Sequence, residues 1–144
     1  MDAVMLLCDA AQVHEGKLYI LGGGFSTIWV PHAPTPVTLA VKLSVPWDQA
    51  NQPLAVKLAL LTDDGQPVEA GDLGPIEATG NVEVGRPPGV KQGIDLDVPI
   101  ALPFGTIALG PGGYVWQLTV NDEPVARAPM RVMQGLPGTP MGNA

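Results

Sequence analysis

Four stretches of this chain alternate apolar and polar residues with a period of two, and that pattern excludes most folds. Val37, Leu39, Val41, Leu43 and Val45 are interleaved with Thr38, Ala40, Lys42 and Ser44. Leu54, Val56, Leu58 and Leu60 alternate with Ala55, Lys57 and Ala59. Ile94, Leu96, Val98, Ile100 and Leu102 alternate with Asp95, Asp97, Pro99 and Ala101, and Tyr114, Trp116, Leu118 and Val120 with Val115, Gln117 and Thr119. A strand places alternate side chains on opposite faces, so each stretch has one core face and one outer face. No window of helical length carries a 3.6-residue stripe, and prolines break most of the candidate windows.

Shorter strands are expected at Val4–Cys8, Lys17–Leu21, Thr27–Val30, Asn81–Val84 and Val125–Val132. The links have turn chemistry: Glu15-Gly16, Asp63-Asp64-Gly65 and Asn121-Asp122, the last suited to a tight hairpin because Asn and Asp tolerate positive φ. Most of the 18 glycines and 16 prolines fall between the apolar runs. About nine short strands spaced by turns make a sandwich or a barrel. Pro99 and Pro129 inside strand runs point to edges or bulges, since proline donates nothing to a ladder. Residues 1–132 form one domain, and residues 133–144, MQGLPGTPMGNA, have no periodicity and read as a tail.

A chain of 144 residues is one domain by length and large enough to fold without disulfides or metal. Fourteen acidic against seven basic residues give a net charge of −7, with no Lys/Arg cluster. Nucleic acid and anionic membranes are not the expected partners. No stretch approaches the ~20 apolar residues of a membrane span. The single cysteine, Cys8, fits a reducing compartment. Met1-Asp2 and the short apolar run after it lack the features of a signal peptide. The expected location is the cytoplasm, or a virion assembled from it.

Leu7-Cys8-Asp9, then Gly16-Lys17-Leu18-Tyr19-Ile20 running into Gly22-Gly23-Gly24, resembles the opening of a domain-of-unknown-function family associated with actinobacteria and some of their phages. The likeness continues at Val45-Pro46-Trp47-Asp48, at Leu61 to Val68 (LTDDGQPV) and at Gly113-Tyr114-Val115-Trp116, over most of Met5 to Val132. These motifs are structural, and the resemblance implies a fold without catalytic residues to carry over. Gly-x-Tyr-x-Trp entering a strand also resembles the tyrosine corner of immunoglobulin-like sandwiches, which implies a two-sheet antiparallel sandwich lacking the paired cysteines of antibody domains.

Each candidate site has a plainer explanation. Gly22-Gly23-Gly24 lacks the Gly-Lys-Ser/Thr of a phosphate loop and reads as a bulge or sharp bend. Cys8, Asp9, His14 and His32 lack the paired spacing of a zinc site, and Cys8 reads as a small buried hydrophobe whose pKa Asp9 raises. Asp95 and Asp97 share an outer face, and Asp63 and Asp64 crowd a turn; neither pair has the register of a calcium loop. The serines, Ser26 and Ser44, sit in no nucleophile motif. No metal or cofactor is expected. Trp29 and Trp47 stand at strand ends beside prolines, where they cap the core or stack on a sugar or protein partner. Leu136 and Met141 can bury apolar area when the tail docks.

The expectation is a non-catalytic structural or interaction module with a protein partner or a second copy of itself, one specific form being a phage capsid-decoration or tail protein. The second alternative is a small-ligand or carbohydrate binder using Trp29 and Trp47, and the third an enzyme of unrecognised type. A contiguous exposed apolar patch or an open strand edge favours the first, and a concave pocket with convergent polar groups favours the second or third.

Overall fold

The alternating segments form strands, and the strands stack as two sheets. The computed structural model describes residues 1–30 and 36–135. In chain order the strands are β1 (Asp2–His14), β2 (Lys17–Phe25), β3 (Thr27–Val30), β4 (Pro36–Val45), β5 (Leu54–Thr62), β6 (Glu77–Val82), β7 (Leu96–Thr106), β8 (Gly112–Val120) and β9 (Glu123–Gln134). Short 3₁₀ turns at Trp47–Gln49 and Gly71–Leu73 are the helical elements among the described residues. One sheet has the order β2-β1-β4-β7 and the other β3-β9-β8-β5-β6. In immunoglobulin lettering β4 and β7 take the places of B and E, and β9, β8, β5 and β6 those of G, F, C and C′.

The four-stranded sheet is antiparallel throughout, whereas the five-stranded sheet is mixed: β3 runs parallel to β9, with Thr27 opposite Arg131 and Val30 opposite Gln134. This corrects the expectation of an all-antiparallel sandwich. The cause is local. Only Ser26 separates β2 from β3, and its carbonyl accepts from Arg131 N–H at 2.7 Å, so the chain leaves one sheet and joins the edge of the other.

Strand limits also differ from expectation. β1 runs to His14 because Glu15 and Gly16, both at positive φ (51° and 74°), make the two-residue turn whose twist suits a hairpin and carries pairing to the tip. β2 continues through the glycines to Phe25, β6 lies earlier than Asn81–Val84, and β9 takes in Met133 and Gln134 from the expected tail. β7 starts at Leu96 rather than Ile94, because a turn over Lys91–Ile94, with Gly93 at φ 90°, holds Ile94 outside the strand. Pro99 lies on the edge strand β7. Pro129 lies on an inner strand, but β3 pairs only from Arg131 onward, so among the described residues no strand pairs with β9 on that side at Pro129. Residues 136–144 lie outside the described residues.

The core lies between Met5, Leu7, Leu39, Val41 and Leu43 of one sheet and Leu58, Leu60, Trp116, Leu118 and Met130 of the other. Trp116 is fully buried at its centre, with the Phe104 ring 4.5 Å away, centroid to centroid. The Tyr114 hydroxyl donates to the Gly110 carbonyl at 2.7 Å, which is the geometry of a tyrosine corner.

Candidate interaction surface

The outer face of a sandwich sheet is ordinarily polar, but along β1 and β2 it is not. Met5 and Leu7 face the core, so Val4 and Leu6 face out, and Val4 is 61% exposed. Further along, Ala10 pairs with Leu21 and Gln12 with Tyr19 on that same outer face. Leu21 is 72% exposed and Tyr19 53%. Lys42, bridged to Asp97 at 3.3 Å, marks the charged margin of this stripe.

The stripe continues onto a ribbon. β1 pairs with β4 only as far as Cys8 opposite Thr38, and from there to His14 its partner among the described residues is β2. The opposite face of this ribbon pairs Ala11 with Ile20 and Val13 with Leu18, and Val13 and Ile20 are exposed as well. A two-stranded ribbon is marginally stable in water by itself. One apolar on both faces is suited to lie against something else.

The glycine run sits at the root of the ribbon, and the bulge expected there is present. Leu7 pairs with Phe25 and Cys8 with Gly23, leaving Gly24 as the extra residue at φ 91°. A Cβ on Gly22 would run into the Asp9 carboxylate, and one on Gly23 would come within 2.8 Å of Ile20 Cγ2 and 3.3 Å of Cys8 Cβ. The Asp9 and Ile20 side chains thus fill the space where Cβ atoms on Gly22 and Gly23 would stand. Cys8, Thr38 and Ala40 are buried here although they belong to the outer face. The Cys8 thiol donates to the Thr38 carbonyl at 3.4 Å, and burial pushes its pKa up, with the charge of Asp9 adding to the rise.

The remaining candidates are dispersed. Cys8 and His14 are six residues apart on one strand, about 20 Å at the usual rise. His14 stands at the hairpin tip with Glu15 at 3.7 Å, and His32 lies outside the described residues. Among those residues no three of His, Cys, Asp and Glu gather as a metal site.

Trp29 is 38% exposed on the outer face of the five-stranded sheet, directly opposite Met133. Beside them Ser26, Thr27, Asp63, Gly113 and Arg131 line an open cleft of ≈ 260 Å³. Trp47 belongs to the 3₁₀ turn preceding β5, whereas Asp63 and the cleft follow the end of that strand. The two tryptophans thus stand at opposite ends of the sandwich and form no common platform. One face of Trp47 is already taken: the Arg86 guanidinium lies 3.5 Å above the ring centroid and donates to the Trp47 carbonyl from Nε (3.2 Å) and Nη2 (3.0 Å). Leu136 and Met141 lie outside the described residues.

Val4, Leu6, Tyr19 and Leu21 escaped the sequence reading. Their signal was present: Val4 to Leu7 and Leu18 to Leu21 are unbroken apolar runs, which make both faces of a strand apolar. The model of DUF6941, a family of unknown function, matches residues 3–133. No curated protein matches the chain.

Proposed function

We propose that this chain, which belongs to DUF6941 and so has a family without an assigned activity, is a non-catalytic protein-interaction module. One observation carries the reading: one outer face exposes Val4 and Leu6 on the sheet and, past the buried Cys8, Tyr19 and Leu21 on the two-stranded ribbon. Exposed apolar side chains gathered on one face in this way favour a contact site. The non-catalytic part is supported by the chemistry of Cys8. Its thiol is buried, its pKa is raised, and the neighbouring histidine on its strand is about 20 Å away.

The test is a photo-crosslinking amino acid at Leu21, with Asp64 in the opposite turn as control, in the cell that makes the protein. A discrete protein adduct from position 21 and none from position 64 is expected. The absence of any adduct at position 21, of whatever mass, would end the proposal.

A further inference from the structure

We infer that the partner of the ribbon is a second copy of this chain, joined edge to edge through β2. This rests on the interaction reading above and specifies its occupant. An unpaired strand edge invites another strand, and proteins blunt the edges they do not use. β7, the far edge of the same sheet, carries Pro99 and Pro103 on the same phase of the strand. β3 is four residues long, and β6 has Gly80 in its middle and Glu77 at its start. β2 differs from these in its run Lys17–Leu21, which contains no proline, glycine or acidic residue, and no described strand pairs with its outer edge.

Charge points to the same strand. Two copies at −7 each repel, and fourteen acidic residues are spread over the chain. β2, KLYILGGGF, contains none of them and has Lys17 as its one charged group. It is therefore a segment along which two copies can meet without opposing carboxylates.

Geometry then sets the register. The turn at Glu15-Gly16 bounds the regular part of β2 on one side and the bulge at Gly22–Gly24 bounds it on the other, leaving Lys17–Leu21. An antiparallel pair made by a two-fold axis is centred on the middle of that segment, Tyr19. Lys17 then lies opposite Leu21 of the other copy and Leu18 opposite Ile20. Tyr19 lies opposite its own equivalent. The outer face gains a Tyr19–Tyr19 contact flanked by two Leu21–Lys17 pairs, and the two sheets become one eight-stranded sheet.

Light scattering on the full chain measures the first consequence: the 15.0 kDa mass should double as concentration rises. Tyr19→Lys with Leu21→Lys should return it to the single-chain mass with the melting temperature little changed, since both side chains are exposed. Tyr19→Cys tests the register. Directly opposite residues stand at disulfide distance, so mild oxidation should convert most of the protein to a covalent dimer. Val4→Cys, off the edge, should not cross-link. A full-length chain that stays at 15.0 kDa at millimolar concentration overturns the inference, as does Val4→Cys cross-linking in place of Tyr19→Cys. A single-chain mass together with a heterologous adduct at position 21 would overturn the second copy alone and leave the interaction reading standing.

Discussion

The indole N–H of Trp116 donates to the sulfur of Met130 at 3.4 Å, across neighbouring strands and wholly within the core. A buried N–H needs a partner, and a thioether is a weak one. Trp116 is therefore held mainly by area and by the tilted Phe104 ring. Trp116→Ala should cost about 3–5 kcal/mol. Gln117→Ala, one residue on and facing out, should cost under about 0.5 kcal/mol. Urea unfolding midpoints measure both, and equal shifts would mean that the faces of β8 are misassigned.

The bulge glycines permit a second paired test. Gly22 has φ 63° and Asp9 where a Cβ would stand, whereas Gly80 has ordinary φ and open space. Gly22→Ala should destabilise by about 1–3 kcal/mol. Gly80→Ala should be neutral or stabilise by up to about 1 kcal/mol, because it removes freedom from the unfolded chain. Thermal melts in one buffer rank the two.

Cys8 gives a pH dependence. Its folded-state pKa is raised, so the unfolded chain loses the thiol proton first. The contribution is fully present below the unfolded value of about 8.5 and is lost as pH rises through the folded value. Stability should fall more steeply above about pH 8.5 in the wild type than in Cys8→Ala. An alkylating reagent at pH 7.5 should label the thiol only after denaturant is added. Rapid labelling of the native protein would show that Cys8 is accessible.

Asn121 and Asp122 both sit at positive φ, 51° and 67°, in the turn between β8 and β9. Asn121 Oδ1 also accepts from Ala55 N–H at 3.0 Å. Asn121→Ala loses the tolerance and the acceptor together and should cost roughly 1–3 kcal/mol. Asn121→Gly keeps the tolerance and should cost less. Chemical denaturation of the two variants orders them.

Much of the fold was legible because period-two alternation and turn residues are local signals. Leu39, Leu58 and Trp116 announce their faces through their neighbours, and Asn121-Asp122 announces its turn through what it tolerates. The parallel pairing of β3 with β9 was not legible. It depends on where Ser26 lets the chain change sheets, and residues about a hundred positions apart decide it. Trp47 misled for a related reason. Beside Pro46 it resembles a free platform, but Arg86, 39 residues on, occupies its ring. The apolar stripe was written in Val4–Leu7 and Leu18–Leu21, where the alternation fails. A reading that seeks alternation passes over such runs.

Pro99 and Pro103 have an effect beyond their own strand. β2 and β7 are the two ends of one sheet, and a sheet that could add a neighbour at both ends would lengthen without limit as copies joined. Proline removes hydrogen-bond donors from one of those ends. In the dimer proposed above, with one receptive end and a two-fold partner, growth would stop at two chains. The same prolines that look like blemishes in a strand pattern would then separate a finite particle from a fibre.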